Sequence, residues 1–395
     1  MDADRSGDLY NYPRRLEKNR QALAGMKNGQ TTLAFLDHLL VLGLSVARVS
    51  KYAAHLRTLL RQMNFSPETA TRKDVEEVVA WITVQKYKDW TKHDLKLILR
   101  KLVQYAKQGS CNRETPVPPE VSWIPLNVKN QVTVRPEDLL TPDELDSLFK
   151  HTRCLRDLAM LYTLFEGALR PGELLTMTVS SVEFKDHWCL ISVNGKTGLK
   201  RLPLALANPI LLRWLQEHPY RTEPEAPLWV SRATNGQCIP LHYASFREIV
   251  KNTTKAAGIK KRVWGYLFRH TYLTQMAKRL TEQELKRFAG WTPDSKMASR
   301  YVHFSAKDIE EKILSIHGLV KQDDGNPIFQ LKTCPRCGAQ NEPTATFCNL
   351  CGLVLDQQTA LKTMREEEQK MQEILRRVEN AEKLLSSLVA PKPPA

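Results

Sequence analysis

Two pairs of cysteines in the C-terminal part of the chain have the spacing of a metal site. Each pair has the form Cys-x-x-Cys, ten residues separate the pairs, and the four cysteines are Cys334, Cys337, Cys348 and Cys351. A glycine follows each pair and lets the backbone turn back under a bound ion. Four thiolates complete a tetrahedral shell around Zn²⁺, so the pattern predicts one structural zinc ion rather than a catalytic one. Disulfide bonds are the alternative, which a reducing cytosol disfavours.

The chain is strongly basic. Its 395 residues carry a formal net charge of +15, while a hydrophobic content of 42% is ordinary for a globular protein. An excess of positive charge favours a polyanionic partner, most simply double-stranded DNA, although charge alone does not establish one. No apolar run reaches the ~20 residues needed to cross a bilayer, and the polar start lacks the apolar core of a secretory signal. We therefore expect a cytoplasmic, nucleoid-associated protein without a membrane partner.

Five short segments contain arginine, lysine, tryptophan or tyrosine in a fixed order. DNA cleavage without a metal needs a nucleophile for phosphorus, fixed donors for the charge on the non-bridging oxygens, and a proton for the leaving 5′-oxygen. Arginine suits the second task because its planar group binds phosphate oxygens in pairs; lysine can supply the proton, and tyrosine can be the nucleophile. The segments are residues 165–175 (FEGALRPGELL), 194–204 (NGKTGLKRLPL), 267–272 (LFRHTY), 288–293 (FAGWTP) and 299–303 (SRYVH).

In order and spacing these segments resemble the motifs of the tyrosine recombinases, which include Xer-type enzymes and phage-type and archaeal integrases. The resemblance covers residues 141–320 and implies the catalytic domain of that family. It further implies an enzyme that cuts and rejoins DNA site-specifically without a metal ion or ATP. The cut would leave a 3′-phosphotyrosyl bond, which stores the energy for rejoining.

The resemblance also implies a role for each matched residue. Arg170 and Arg269 would clamp the scissile phosphate, and Glu173 would orient the site near Arg170. Lys196 would protonate the leaving 5′-oxygen. Trp291 would donate a hydrogen bond from its indole N–H to the phosphate.

One position departs from the family pattern. The family usually has a histidine three residues before the second arginine, and here that position is Tyr266. Tyrosine can donate a hydrogen bond to phosphate, but it is a poor base near neutral pH. Removal of the proton from the nucleophile, Tyr301, would then fall to water, to the phosphate or to a neighbour such as His270. Tyr266 is also a rival nucleophile, disfavoured by its place inside the arginine motif.

Taken singly, each of these residues has an interpretation without catalysis. An arginine or glutamate near a helix end is usually an ion-pair partner, a lysine on a turn a solubilising charge, and a tryptophan part of a core. His270 is by default a packed histidine bonded to backbone. The complete set in order favours catalysis.

Two functions of other classes remain open. The first is a catalytically weak or inactive recombinase-fold protein that regulates or organises DNA, which the tyrosine at position 266 favours and the intact set of arginines, lysine and Tyr301 disfavours. The second is a zinc-binding scaffold for partner proteins.

The region before the motifs, residues 29–108, is predicted to be a helical module. Apolar residues such as Val75, Val78 and Ile82 recur at helical spacing in four stretches. The module resembles the SAM-like core-binding domain of the same family. Its basic faces suit a DNA clamp, although a solvated charged face is an equal alternative; the candidate residues are Arg48, Lys51, Arg57, Lys92 and Lys96.

The sequence as a whole predicts a mainly α protein with a small β-hairpin at residues 188–204. Thr141, Pro142 and Glu144 give the catalytic domain a capped helix start. The predicted order is an N-terminal extension (1–28), the helical module (29–108), a proline-containing linker (109–140), the catalytic domain (141–320), a second linker (321–327), a cysteine module that resembles a zinc ribbon (330–355) and a terminal helix (356–390).

The terminal helix carries a short apolar seam. Met371, Ile374 and Val378 are spaced by three and four residues, as in a coiled coil. The helix is predicted to pair subunits, with packing on its own protein as the alternative. Exchange of strands between two DNA sites would in turn require a homo-tetramer.

Overall fold

The computed structural model describes residues 9–128, 134–195, 198–231, 238–302 and 329–389. The chain divides into two compact units: residues up to 135 together with 242–244, and the remainder from 136 onward. Most of the described secondary structure is helical, with two small sheets. The predicted mainly α fold with a small β element is therefore confirmed. The described residues include no helix with the length and apolar character of a membrane span.

The first unit is a set of helices around one hydrophobic core. The predicted stripe on its fourth helix is confirmed, because Val75, Val78 and Ile82 are all buried in that core. This helix begins with a capping box in which Thr71 and Asp74 bond each other's backbone N–H. The helices are α1 (Tyr12–Ala24), α2 (Gly29–Val41), α3 (Val46–Leu60), α4 (Arg72–Val84), α5 (Asp89–Gln108) and α6 (Pro119–Ser122).

Both ends of this unit extend beyond the predicted helical module. Helix α1 lies in the segment expected to be an extension, yet its Leu16 and Leu23 are buried in the shared core. At the other end, Val121 and Ile124 of the expected linker are buried in the same core. The prolines shorten the secondary structure here, but the apolar residues between them still pack.

The second unit contains the residues of the arginine and tyrosine motifs. Its first helix starts as predicted: Thr141 Oγ1 accepts a hydrogen bond from the Glu144 N–H (3.2 Å), and Glu144 Oε2 accepts one from the Thr141 N–H (2.8 Å). The helices are α7 (Pro142–Lys150), α8 (Leu155–Glu166), α9 (Pro171–Leu175), α10 (Asn208–Glu217), α11 (Tyr243–Ala256), α12 (Gly265–Met276), α13 (Glu282–Ala289) and α14 (Met297–Val302).

The predicted hairpin is confirmed as part of a three-stranded antiparallel sheet. Strands β1 (Val182–Phe184), β2 (Cys189–Gly195) and β3 (Gly198–Leu204) lie in that order. Gly195 pairs with Gly198 at the end of the hairpin. The tip itself, which includes Lys196, lies outside the described residues, as does the second predicted linker.

A buried glutamate ties α8 to the chain that leaves the hairpin. Glu166, the last residue of α8, is 6% exposed. Its Oε1 accepts hydrogen bonds from the Ala205 and Leu206 N–H groups (2.7 and 3.0 Å), and its Oε2 accepts one from the Ala207 N–H (2.8 Å). Three backbone donors satisfy the carboxylate, so this contact fixes the hairpin relative to the end of α8.

Replacing this carboxylate with an amide should weaken the fold measurably. In Glu166→Gln one acceptor oxygen becomes an N–H₂ group facing a backbone donor, which should lower the free energy of unfolding by about 2–3 kcal/mol. Urea unfolding followed by circular dichroism measures this loss. Glu183→Gln is the matched control, because Glu183 lies on β1 with its side chain 50% exposed. Equal unfolding midpoints for the two variants would contradict the assigned role.

The cysteine module lies against α8 and α10 of the same unit. It contains β4 (Lys332–Thr333) and β5 (Gln340–Asn341), and α15 (Gln357–Val389) follows it. The hydroxyl of Tyr162 on α8 is 3.2 Å from Thr344 Oγ1. Arg213 on α10 pairs with the buried Glu342 (3.3 Å) and donates to Asn349 Oδ1 (2.9 Å). The module thus covers part of the second unit's core.

Candidate active site

The first arginine follows a strained turn at the end of α8. Ala168 has φ 43°, the left-handed region, which costs an L-residue roughly 1–2 kcal/mol. Gly167 precedes it, and a Cβ there would lie 2.9 Å from Thr163 O. Arg170 then caps the short helix α9, with its side chain 23% exposed. This backbone turn directs the Ala168 carbonyl toward Arg269. It leaves the side chain of Arg170 partly accessible to a ligand.

Glu173 connects Arg170 to the hairpin. Its Oε2 accepts a hydrogen bond from the Arg170 N–H (3.0 Å), and its Oε1 contacts the Arg170 guanidinium. Burial alone would raise the pKa of Glu173, but Lys200 and Arg170 hold it below its ordinary value. The hairpin can approach because residue 195 is glycine: a Cβ there would lie 2.6 Å from Glu173 Oε1.

Arg269 joins the ends of two other segments. It lies on α12, is 3% exposed, and donates to the Ala168 carbonyl and to Ala289 O (2.7 Å), the last residue of α13. Its guanidinium carbon lies 5.6 Å from the centroid of the Trp291 ring. Burial and the charge of Arg170 lower the pKa of Arg269 to about 10, so it remains a cation at neutral pH.

The candidate nucleophile is buried beside a histidine. Tyr301 on α14 is 4% exposed, and its hydroxyl oxygen is 2.8 Å from His270 Nδ1. The Trp291 ring also stacks on Tyr301, with centroids 5.4 Å apart. Burial raises the pKa of Tyr301 against the lowering effect of Arg269 and Arg300.

His270 is a neutral imidazole in this setting. Burial first, and then the charges of Arg269 and Arg300, lower its pKa to about 4. At neutral pH its ring therefore has one nitrogen free of a proton. If that nitrogen is Nδ1, the phenol O–H donates to it, which is the arrangement of a nucleophile with a proton acceptor.

Lys200 is a site residue that the sequence analysis missed. Its ammonium nitrogen lies 3.2 Å from Glu173 Oε2, and its side chain is 9% exposed. On β3 it shares a strand face with Leu202 and Leu204, both of which are buried. This two-residue periodicity was visible in the sequence and could have placed Lys200 on the inward face.

Two predicted residues are not part of this buried cluster. Lys196 lies outside the described residues. Tyr266 lies on α12, one turn before Arg269, and is 39% exposed. The histidine that contacts the nucleophile therefore follows the second arginine instead of preceding it by three residues.

The predicted DNA-contacting residues lie on helices of the first unit. Arg48 and Lys51 are exposed on α3, while Arg57, Lys92 and Lys96 are half-buried. Lys51 forms an ion pair with Asp94, and Arg57 and Lys92 donate hydrogen bonds within the unit.

The four cysteine sulfurs form a compact cluster with the dimensions of a zinc site. All four lie within 4.8 Å of one another, and the Cys334–Cys351 and Cys337–Cys348 pairs are each 3.6 Å apart. A Zn–S bond of about 2.3 Å gives tetrahedral sulfur–sulfur edges of about 3.8 Å. A disulfide would need about 2.0 Å. The cluster therefore has the dimensions of a tetrahedral metal site, and the sulfurs of these two pairs lie farther apart than those of a disulfide.

The backbone around the sulfurs supports the same geometry. Gly338 and Gly352 have φ values of 73° and 71°, so both predicted glycine turns are confirmed. Asn341 is fully buried, donates toward Cys348 Sγ (3.8 Å), and accepts a hydrogen bond from the Asn349 N–H (2.7 Å). Such contacts around the ligands hold a site in place before the ion binds.

Comparisons with known proteins agree with this geometry. Residues 138–308 match the phage integrase family, and residues 333–355 match a zinc-ribbon domain. The chain is similar to a tyrosine recombinase of Synechococcus elongatus, at 35% identity over 30% of this chain and 38% of the relative. It is also similar to the tyrosine recombinase XerD of Vibrio cholerae, at 26% identity over 44% of this chain and 57% of the relative. The chain thus spans about two fifths to three fifths of the length of these two relatives.

The overall architecture is shared with a solved recombinase. The structure of the XerH site-specific recombinase bound to palindromic difH substrate superposes with a TM-score of 0.53, at 17% identity, over 78% of this chain and 96% of that one. At this identity the likeness concerns the fold. Residues 138–308, which contain the ordered arginine, tryptophan and tyrosine motifs, are thus similar to the phage integrase family, and a segment similar to a zinc ribbon follows at residues 333–355.

Proposed function

We propose that this protein is a site-specific DNA recombinase or integrase that cuts and rejoins strands through a 3′-phosphotyrosyl intermediate on Tyr301. The observation that carries the proposal is the 2.8 Å hydrogen bond between the Tyr301 hydroxyl and His270 Nδ1, next to buried Arg269. Nucleophile, proton acceptor and cation are thus gathered at one point. In the proposed reaction, side chains stabilise the charge that develops on the phosphate and transfer the protons. The proposed reaction therefore uses neither a metal ion nor ATP.

Arg170 and Arg269 are the proposed phosphate clamp. Arg269 uses two of its N–H groups on backbone carbonyls, and an arginine has five. Its remaining donors and those of Arg170 are available to the non-bridging oxygens, where negative charge grows during attack. Trp291, whose ring contacts both Arg269 and Tyr301, is proposed to add its indole N–H.

The proposed proton path has two ends. As the Tyr301 oxygen forms its bond to phosphorus, its proton passes to Nδ1 of His270. The bond from phosphorus to the 5′-oxygen breaks, and Lys196 supplies the proton that this oxygen needs. Attack by a 5′-hydroxyl then reverses each transfer and joins the strands. Tyr266 is proposed to contact DNA rather than to act as a base, because it is exposed and is itself a phenol.

Replacing the proton acceptor should slow cleavage without preventing binding. His270→Gln keeps a polar side chain but cannot accept a proton, so the single-turnover rate of adduct formation should fall about 10²- to 10⁴-fold. His151→Gln, which changes the exposed histidine directly after α7, is the matched control. Gel separation of adduct from free DNA over time measures both rates.

The pH profile gives an independent readout for His270. The base form must be present, and the folded-state pKa is lowered to about 4. Cleavage should therefore persist as pH falls below 6.5, and decline only as pH approaches 4. An acid limb centred near 6.5, or an unchanged rate in His270→Gln, would assign proton removal to another group.

The proposed substrate is double-stranded DNA, held by the basic helices of the first unit as well as by the catalytic unit. Arg48, Lys51, Arg57, Lys92 and Lys96 are proposed to contact phosphates, which would position the duplex but not read its sequence. Exchange between two sites, each with two half-sites, requires four nucleophiles and hence a homo-tetramer. We propose that such an enzyme acts at the nucleoid in the cytoplasm.

We further propose that the cysteine module holds one structural Zn²⁺ through its four thiolates. When bound, the ion would supply the cross-link that so short a module lacks, since it has little core of its own. Four protein ligands leave no open position for catalysis. Helix α15 is proposed to pair with another subunit, because Met371, Ile374 and Val378 are each about half exposed on it.

Covalent capture on native DNA tests the whole proposal. The purified protein is mixed with sheared DNA from its own source, detergent is added, and protein-linked fragments are sequenced. A recombinase gives adducts at a defined sequence, with the protein on the 3′ side of the break. Tight binding without any adduct would instead assign the protein to the class of inactive, DNA-organising relatives.

A further inference from the structure

Lys200 is an ammonium group buried in the active site without a hydrogen-bond acceptor among the described residues. Its nitrogen is 3.2 Å from Glu173 Oε2, but the geometry is that of an ion pair only. Glu173 is already engaged by the backbone N–H and guanidinium of Arg170. A buried ammonium has three N–H donors, and burying them without hydrogen-bond acceptors costs free energy. The position therefore calls for an acceptor that DNA would bring.

The charges around Lys200 call for an anion as well. Arg170, Lys200 and Arg269 are cations that face one carboxylate, Glu173, so the cluster carries an excess of two positive charges. His270 is neutral, since burial and Arg269 lower its pKa to about 4. A phosphodiester brings one negative charge and two non-bridging oxygens to this place. The excess positive charge and the N–H donors of Lys200 that lack an acceptor among the described residues thus both favour a bound phosphodiester.

We propose that Lys200 is the third cation of the phosphate site and donates a hydrogen bond to a non-bridging oxygen of the scissile phosphodiester. This assignment rests on the proposed function and adds a residue to it. It differs from the role given to Lys196, which acts on the leaving 5′-oxygen. It differs also from a purely structural role, in which Lys200 would only hold Glu173.

A bridging phosphorothiolate separates the two lysines. Sulfur in place of the leaving 5′-oxygen departs without needing a proton, so a variant that lacks the proton donor regains its rate on this substrate. Lys200→Met should lose about 10²- to 10³-fold in adduct formation on both substrates, as expected for a lost oxyanion donor. Lys196→Met should recover on the sulfur substrate. Recovery of Lys200→Met on sulfur would overturn the proposal.

Binding without chemistry provides a second readout. In the Tyr301→Phe background, which cannot form the adduct, Lys200→Met should weaken binding of the captured cognate duplex. It should also reduce the slope of log affinity against log salt by about one contact. Lys185→Met, which changes an exposed lysine between β1 and β2 that pairs with Glu183, should leave the slope and the cleavage rate unchanged. An unaltered slope in Lys200→Met would mean that it only supports Glu173.

The pH dependence of cleavage also distinguishes a phosphate contact by Lys200 from a purely structural role. Burial first, then Arg269 and Arg170, lower the pKa of Lys200 to about 8, against the raising effect of Glu173. The free enzyme therefore loses this proton above pH 8, and kcat/KM should fall about tenfold per unit there. Lys200→Arg stays charged and should retain activity past pH 9. If wild type forms no adduct on either substrate, the proposed function fails, whereas normal adducts with an unaffected Lys200→Met refute this inference alone.

Discussion

Tyr301→Phe should abolish the covalent protein–DNA adduct while leaving DNA binding intact. The phenol oxygen is the only atom removed, and it is the atom that His270 Nδ1 contacts at 2.8 Å. The ring remains stacked on Trp291, so the fold should lose only about 1 kcal/mol, the value of one hydrogen bond. A suicide duplex nicked next to the cut site traps the adduct, which denaturing gels resolve from free DNA.

Tyr266→Phe is the matched control for this result. It removes the hydroxyl of the rival tyrosine, which lies one turn before Arg269 and is 39% exposed. It should retain the adduct, with at most a loss of affinity. An adduct in Tyr301→Phe, or its disappearance only in Tyr266→Phe, would move the nucleophile to position 266. Equal binding by both variants at several salt concentrations would show that neither change disturbs the DNA site.

Removing the metal should unfold the cysteine module and destabilise the catalytic unit with it. Apparent zinc binding in comparable small modules is worth ~10–16 kcal/mol, which is also their folding energy. The module covers the buried Tyr162 and holds Arg213 through Glu342. Its loss should expose the aromatic cluster of Phe149, Tyr162 and Phe165, which lies directly before the Arg170 turn.

Cys348→Ser measures the same effect without a chelator. It should lower the bound metal from one zinc ion per chain, lower the unfolding temperature and open residues 330–355 to protease. Cys238→Ser, outside the cluster, is the control. Cobalt added to the apo-protein should give the absorption of a tetrahedral four-thiolate site. Wild-type protein that binds no metal under reducing conditions, yet keeps the module protected, would refute the structural role.

Much of the site could be predicted because its residues lie in local motifs. Arg170 and Glu173 are three residues apart on one turn, and both the capped helix at Thr141 and the two glycine turns of the cysteine module follow from local chemistry. The hairpin could be predicted from the alternation of apolar and polar residues along its strands. Strand β1 was not predicted, because three residues are too few for alternation to show.

What could not be predicted depends on long-range packing. His270 and Tyr301 are 31 residues apart, so only the fold shows that this histidine, rather than water, meets the phenol. Alternation along β3 can place Lys200 on the inward face, but not beside its partner, Glu173, which lies on another element. Helix α1 was missed because only Leu16 and Leu23, seven residues apart, are buried on a polar helix.

The enclosure of Tyr301 also bears on the fate of the cut strand. The residue is 4% exposed, its oxygen contacts His270, and its ring stacks on Trp291. A DNA end esterified there would be shielded from hydrolysis, because the enclosing side chains leave little room for a water molecule to attack. A tethered 5′-hydroxyl from a neighbouring duplex would meet no such competitor. The burial of Tyr301 would thus favour rejoining of the cut strand over its hydrolysis.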